Sequence, residues 1–508
     1  MNRKKMNHKE IFWYVPVQQG TRGHRGHHIE YTNAILQGPH PFKSTPISAI
    51  LRQKEINMAP LYVGIDIGTT NITITALDLA ARKVPSSRSL PNRRVPSSDP
   101  YAYLQDPIAI EDSVRQLLAG VTDPIAAICV TGQVHGIVYY DSDGVACSPL
   151  YTWLDQRAME VFDNMSSQQA LYEQTGYLLP SGYGLLAHYA NRRLGKIVRE
   201  AVGFCGIIEY ITARLVGTPL FAADPSCLGT YGGFDPVTST FDHTLLSEVF
   251  GTSSYTFLEA SQPFEIAGQT PEGVAVIHGV GDNQAGFFGM VSSWQRSALI
   301  SIGTSGQISL FSKRSECPPS MELRPFLGEG YLHVGATLTA GKAYETLQRL
   351  FASTIRGVGF EITDEAVFDM MKEQAGQLST STLLVDPRLT GSRKDPAVRG
   401  SITNIGLDNL DIGSLVLGTI DGIVAELKAF GLEAEQIFSP IESIVATGSA
   451  VRKNPLFRAS LARMFSLPAI VADVDDGAGF GAALIAATSV GALDLAKREE
   501  LVHTVLGT

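Results

Sequence analysis

The sequence predicts an α/β protein built of two similar domains, and three observations carry that prediction. A strand–turn–strand unit at Leu61–Leu79 sets a Gly-Thr-Thr-Asn turn between two β-type runs. A second unit, Ala298–Phe311, repeats it: with Gly68 aligned on Gly303, Thr69 falls on Thr304 and Thr70 on Ser305. Around these units, short apolar runs alternate with stretches of helical periodicity, the pattern of strands and helices in succession. Self-similarity of this kind implies two related domains, each presenting the same turn.

Composition narrows the class. A chain of 508 residues suggests two to four domains at roughly 100–200 residues each. Apolar residues make up 44% and charged residues 18%, enough for large buried cores. A net charge of −10 argues against a nucleic-acid surface. Cys129, Cys147, Cys205, Cys227 and Cys317 are scattered and form no CxxC pair, which disfavours a disulfide framework or zinc site and fits a reducing cytoplasm. No apolar run reaches about 18 residues, so no transmembrane helix is expected.

Residues 1–58 are rich in Lys, Arg, His, Gln and Gly, without periodicity or a signal-peptide core. They are expected to be a disordered extension without function, with Met58 as the natural start. The first domain is expected over 59–291 and the second over 292–508. In the first, Leu61–Ile67 is nearly all apolar, as a central strand is, and the run after Asn71 alternates Ile and Thr. Arg82–Pro100, rich in Pro, Ser and Arg, reads as a surface loop. A helix follows Leu104-Gln-Asp-Pro, its apolar face Ile108, Val114, Leu117 and Leu118. Ile125–Val130 reads as a buried strand ending in Thr131-Gly-Gln-Val-His-Gly, and Ile137–Tyr140 as another strand before the turn at Asp141-Ser-Asp-Gly. Residues 160–220 read as helices broken at Leu179–Gly184, and Asp224–Asp235 as a polar loop. In the second half, Val274–Val280 is a strand feeding Gly281-Asp282. Gly341 opens a helix, Val385–Pro396 reads as loop, and Leu415–Phe430 as a long apolar helix. Ser443–Thr447 is a strand running into Gly448, and Asp475-Asp-Gly-Ala-Gly-Phe-Gly enters a small-residue helix.

Several residues in this frame carry chemistry. Asp66 is the one charge in the first strand of the hairpin, and a lone buried carboxylate is costly unless it meets a cation. With Gly68, Thr69, Thr70 and Asn71 beside it, the local chemistry suits an acid orienting a hydrated metal next to a phosphate-holding turn. The second copy has Ser301 in place of the acid. The alternative is an ordinary hairpin with turn-favouring residues. Asp282 closes a strand and opens a helix; it could take a proton from a hydroxyl nucleophile, or act only as a helix cap. Trp153, Asp155 and Arg157 are spaced two apart, so an extended strand would point all three the same way, as a polyhydroxylated sugar would require. The alternative is a core Trp beside a surface pair, with His135 structural. Gly448-Ser449-Ala450 followed by Asn454-Pro455 is a low-bulk turn against which adenine could lie. Gly477, Gly479 and Gly481 form another glycine-rich turn, whose alternative is simply to permit close helix packing.

The ordered set Asp66-Ile-Gly-Thr-Thr, Gln133-Val-His-Gly, Trp153-x-Asp-x-Arg, Gly281-Asp282, Ile302-Gly-Thr-Ser, Gly448-Ser and Gly479-x-Gly-Ala-Ala resembles the FGGY carbohydrate kinases. The resemblance spans residues 59 to about 490. It implies two RNase H-like domains of the actin/Hsp70/hexokinase ATPase type, with a cleft between them holding MgATP and a sugar. On that reading Asp66 positions Mg²⁺ through water. Gly68, Thr69, Thr70, Gly303, Thr304 and Ser305 face the phosphates, and Gly448, Ser449 and Asn454 line the adenosine. Asp282 matches the general base, and Gln133, His135, Trp153, Asp155, Arg157 and Asn283 fall in the sugar site. Val134 replaces the Met that many members carry. Xylulokinases usually show Gly-Glu-Arg-Thr-Pro where this chain has Gly391-Ser392-Arg393-Lys394, which with Arg399-Gly-Ser-Ile-Thr-Asn looks like sedoheptulokinases. The implied activity is ATP-dependent phosphorylation of a ketose, foremost sedoheptulose to its 7-phosphate, with xylulose, ribulose or glycerol as alternatives. The implied partners are sugar and MgATP, with no nucleic acid or membrane and a homodimer left open. The rival from another class is an actin- or Hsp70-like ATPase, which has no need of Trp153-x-Asp-x-Arg.

Overall fold

The computed structural model describes residues 59–251, 257–392, 395, 397–472 and 474–506. The expected N-terminal extension, Met58 included, and the pair Arg393-Lys394 lie outside the described residues.

Two six-stranded sheets organise the chain. The first contains β1 (Leu61–Ile67), β2 (Asn71–Asp78), β3 (Lys83–Pro91), β4 (Ile125–Gly132), β5 (Ile266–Gln269) and β6 (Ala275–Gly281), in the order β5-β6-β4-β1-β2-β3. The second contains β7 (Ser297–Ile302), β8 (Gly306–Ser312), β9 (Glu322–Phe326), β10 (Gly330–Ala336), β11 (Ser443–Thr447) and β12 (Ala469–Val471), in the order β9-β10-β8-β7-β11-β12. Apart from one extra edge strand each, the two orders are the same. A consecutive three-strand run has its first member in the centre, and two later strands lie on that member's other side. In the second sheet β7 pairs antiparallel with β8 and parallel with β11, while in the first β4 and β6 run parallel. The internal repeat read from two short turns thus extends to whole sheets, and the expected α/β class holds.

The chain packs as two compact units, one of residues 65–74 and 88–281, the other of 61–64, 75–87 and 282–508. In the first, α1 (Pro107–Ala119) starts where Asp106 accepts the N–H groups of Ile108 and Ala109 and Pro107 needs no acceptor. That start makes Ile110, Val114, Leu117 and Leu118 the buried face. Ile108, expected inside, is 46% exposed. The helices α2 (Ser167–Thr175), α3 (Gly184–Arg193) and α4 (Ile207–Val216) follow. Leu171, Leu185, Leu186, Leu245 and Val249 pack with Tyr139 and Tyr151 in one core of this unit. Residues 83–91, expected as loop, form β3 instead. Its mostly exposed residues, with Pro85 and Pro91, suit the edge position it takes, where one side of the backbone has no ladder to serve.

In the second unit, α5 (Asp282–Met290), α6 (Gly341–Gly357), α7 (Ile412–Glu433), α8 (Pro455–Phe465), α9 (Gly477–Ser489) and α10 (Leu495–Leu506) surround the sheet. Ile300, Ile308, Val416, Ile420, Ile423 and Leu427 are fully buried in its core. The segment expected as loop at 385–396 begins in a short antiparallel hairpin, Leu384–Asp386 with Ser401–Thr403. The glycines of α9 serve packing. A Cβ on Gly481 would lie 1.8 Å from the carbonyl oxygen of Ala285 in α5, and one on Gly64 1.8 Å from that of Gly479. Backbone therefore meets backbone where α5 crosses α9 and where α9 meets β1. Among the described residues no helix is long and apolar enough to cross a membrane.

Candidate active site

Both repeated turns are held by their carbonyls. In the first, Asn92 Nδ2 donates to Gly68 O at 2.8 Å, Asn92 N to Thr70 O at 2.7 Å, and Gln105 Nε2 to Thr69 O at 2.8 Å. In the second, Ala340 N and Lys342 N donate to Thr304 O at 3.0 and 3.1 Å, and Gly341 N to Gly303 O at 2.9 Å. Thr70, Thr304 and Ser305 stay exposed. Carbonyls held by protein donors leave hydroxyl groups as the outward chemistry, which suits an anionic ligand. Sequence reasoning missed Asn92 and Gln105, because a side chain that braces a turn from a distant segment carries no local motif. Asp66 is half-buried at the end of β1.

Gly448 follows β11 at φ +96°, and a Cβ there would lie 2.4 Å from the oxygen of Ile302. Only glycine fits. Ser449 opens the next short helix and is exposed. Asn454 is 4% exposed; its Oδ1 accepts Leu456 N at 3.0 Å and its Nδ2 donates to Tyr344 Oη at 3.1 Å. It holds the 448–455 turn as the cap of α8 rather than presenting its amide to solvent.

The Trp153 segment departs from expectation. It is not an extended strand: Trp153 lies in a turn after the strand Leu150–Tyr151, and Arg157 opens a 3-10 helix. The three side chains therefore do not share a face. Trp153 is 44% exposed and donates from Nε1 to Thr69 Oγ1 at 3.0 Å, tying the indole to the first turn. Asp155 and Arg157 are buried, their Oδ1–Nε distance 2.6 Å. The Asp155 carboxylate also accepts Tyr103 N and Arg157 N, and the guanidinium lies 4.1 Å from the Tyr151 ring. Arg157 then donates to Asn191 Oδ1 at 3.1 Å, Asn191 to Tyr139 Oη at 3.4 Å, and Tyr139 meets His188 Nδ1 at 2.8 Å. Burial pushes His188 down to about 3, so the ring is neutral and accepts from Tyr139. The pair thus braces the Trp153 turn from behind through a buried chain of hydrogen bonds.

Gln133 and His135 leave β4 beside this turn. Gln133 is buried; its Nε2 donates to Gln105 Oε1 at 2.7 Å, while its Oε1 has no protein partner among the described residues. His135 has φ +75°, its Nδ1 sits 2.9 Å from Thr230 O, and its ring stacks on Tyr183 at 4.4 Å. A carbonyl can only accept, so the proton is on Nδ1. Sequence reasoning did not find Tyr183 or Thr230.

Asp282 is the first residue of α5, directly after β6. Its carboxylate accepts Asn283 N at 2.7 Å. Asn283 Nδ2 donates to Ser309 Oγ at 3.0 Å, and its buried Oδ1 has no protein partner among the described residues. Solvent reaches Asp282, and the protein around it desolvates the carboxyl in part. That desolvation lifts the carboxyl above the ordinary range, opposed by the Arg324 guanidinium and the Asn283 N–H. A carboxylate raised in this way is a better proton acceptor near neutral pH.

A second raised acid lies deeper. Glu209 is buried in α4, and desolvation first, then the charge of Asp224, pushes it up to about 7 from an unfolded value of 4.5. Between those values the folded chain keeps a proton that the unfolded chain has lost, so stability falls as pH rises through the window, by roughly 3 kcal/mol in full. Glu209→Gln is expected to flatten that fall and raise stability at pH 8, measured by denaturant unfolding at several pH values. An unchanged slope would show that another group sets it.

The N-terminal domain of the FGGY family of carbohydrate kinases matches residues 61–289, and its C-terminal domain matches 298–490. A sedoheptulokinase of Homo sapiens is 25% identical over 84% of this chain and 97% of its own length. A xylulose kinase of Staphylococcus xylosus is 24% identical over 84% of this chain and 90% of its own. Among solved structures, a gluconate kinase from Lactobacillus acidophilus superposes with TM-score 0.72 at 21% identity, covering 87% of this chain and 92% of that one. Plasmodium falciparum glycerol kinase with ADP gives 0.71 at 16%, covering 88% and 93%. With both domain models matched in order across most of its length, the chain belongs to the FGGY family of carbohydrate kinases and is a sugar kinase.

Proposed function

We propose that the chain transfers the γ-phosphoryl group of MgATP to the terminal hydroxyl of a ketose, foremost sedoheptulose, giving sedoheptulose 7-phosphate. The observation that carries the reaction is Asp282: a solvent-reached carboxylate with a raised pKa, placed where a strand ends and a helix begins. Carboxyl ends of strands are where α/β proteins usually bind ligands.

The residues present fit the nucleotide and its cation. Exposed hydroxyls of Thr70, Thr304 and Ser305 and the bare backbone of Gly68 and Gly303 suit phosphate oxygens. Gly448 and Ser449 offer a flat surface to the adenosine, with Asn454 fixing their turn. Among the described residues no group of three His, Cys, Asp or Glu could cage a metal. A single carboxylate, Asp66, together with phosphate oxygens and water would suit Mg²⁺, which is commonly held by one or two carboxylates. When bound, Mg²⁺ neutralises phosphate charge. Asp282 takes the proton from the attacking hydroxyl, and the hydroxyls that each turn presents, Thr69 and Thr70 in the first and Thr304 and Ser305 in the second, suit phosphoryl oxygens. Gln133 Oε1 and Asn283 Oδ1, buried acceptors, suit sugar hydroxyls, and the indole of Trp153 suits a C–H face. His135 orients by its bond to Thr230, while Asp155 and Arg157 frame the Trp153 turn.

Sedoheptulose ranks first because the sedoheptulokinases of Homo sapiens and Mus musculus align over 97% of their lengths. Xylulose is the second reading, favoured by the xylulose kinase relatives. ADP release measured with a panel of C3 to C7 ketoses and polyols, the product position read by NMR, decides. The expected result is the highest kcat/KM on sedoheptulose with phosphate on the terminal carbon. A preference for xylulose would shift the assignment within the family, and hydrolysis indifferent to every sugar would overturn it.

A further inference from the structure

The helix that Asp282 opens is fastened at its far end by a residue from the last helix. Arg498, in α10, is 2% exposed, and α10 lies beyond the matched C-terminal domain. Its Nε donates to Phe288 O at 2.8 Å and its Nη1 to Ser292 O at 2.9 Å, while Nη2 donates to the carbonyls of Phe288 and Val291. Phe288 O is among the carbonyls that the helix leaves without partners at its C-terminus, and Val291 and Ser292 lie just beyond its last residue, Met290. The guanidinium also stacks over the rings of Phe288 and Trp294, at 4.6 and 4.9 Å. Burial draws it down to about 9, so it remains a cation at neutral pH.

A buried cation is costly unless its partners are well placed. Here they are the negative end of α5's dipole and two aromatic faces, an arrangement that favours the charge and orders the helix end. The helix is short, nine residues or about 13 Å, so a tilt at its C-terminus moves Asp282 at the other end. Its flank is pinned by backbone contacts to α9, where a Cβ on Gly289 would lie 2.6 Å from Gly481 N. With side and tail fixed, the head is fixed.

We infer that Arg498 is a positioning residue for the proposed general base, holding α5 so that Asp282 keeps its place. The inference rests on the reading of Asp282 as that base. Arg498→Met keeps the apolar stem and removes the three-carbonyl clamp. It is expected to lower kcat about tenfold or more, since small misplacements of a reacting group are costly, while the sugar KM changes less than about twofold. Arg498→Lys, which retains the charge but not the fork, is expected to fall between, and it carries the same test if the Met variant does not fold.

The deciding measurement is a double-mutant cycle, with residual transfer from Asp282→Ala followed by radiolabelled phosphate. If Arg498 acts through Asp282, removing it from the Asp282→Ala enzyme costs less than about twofold. A full multiplicative loss there, or a folded Arg498→Met enzyme at wild-type kcat, overturns the inference. Wild-type turnover by Asp282→Ala alone is a different outcome and removes the base assignment itself.

Discussion

Asp282→Ala is expected to lower kcat by roughly a thousandfold, within the range lost when a positioned acid–base group is removed, while substrate binding changes little. The side chain is the first of its helix and, among the described residues, accepts only the neighbouring Asn283 N–H, so its truncation leaves the core intact. The pH dependence has a defined sign. The base works only when ionised, so activity falls as pH drops through its pKa in the folded protein. Because desolvation raises that pKa, the acid limb of kcat/KM should lie above the ordinary Asp range. Arg324 pulls the pKa down, so Arg324→Met should move the limb further up, not down. Steady-state ADP release from pH 5 to 9 checks both. Full turnover by Asp282→Ala would leave the raised carboxyl without a role in catalysis.

The other large effect is one of packing. Gly481→Val is expected to destabilise the protein by about 3 kcal/mol or more, because overpacking a close backbone crossing leaves no side chain free to yield. The obstacle at Gly481 is the Ala285 carbonyl oxygen, 1.8 Å from where a Cβ would stand, with Gly289 N behind it at 3.1 Å. Both belong to the helix that begins at Asp282, so the variant is expected to lose soluble yield and melting temperature together. Gly491→Ala is the control: nothing lies within 4 Å of its Cβ position, and only its positive φ of 73° is at stake. Equal melting temperatures for the Gly481 and Gly491 variants would contradict this account of the crossing.

Much of the fold was legible in the chain because repetition is robust. Two turns that align residue on residue imply two similar domains, the two sheets share one strand order, and Ser443–Thr447 emerges with the bounds its apolar run suggested. The failures share a cause. Lys83–Pro91 reads as loop because edge strands carry the charges and prolines that loops carry. Periodicity puts Ile108 inside because it gives only spacing, whereas the cap at Asp106 sets the phase.

The site was legible in its residue types and less so in their orientation. Spacing of two made Trp153, Asp155 and Arg157 look alike, yet the buried ion pair turns inward to Asn191 and the indole turns out. Bracing residues such as Asn92, Gln105 and Arg498 stayed hidden, since their partners lie 22 to 210 positions away on the chain, as with Asn92 to Thr70 and Arg498 to Phe288.

The placement of Trp153 has an optical consequence. The chain holds three tryptophans, and of the two among the described residues, Trp294 is wedged between Phe288, Phe311 and Arg498 while Trp153 is half open to solvent. Their emission bands therefore separate, the sheltered indole shining to the blue and the wet one to the red. Since Trp153 is tethered to Thr69, its fluorescence is a built-in gauge of events at the first turn, readable by titration without any label.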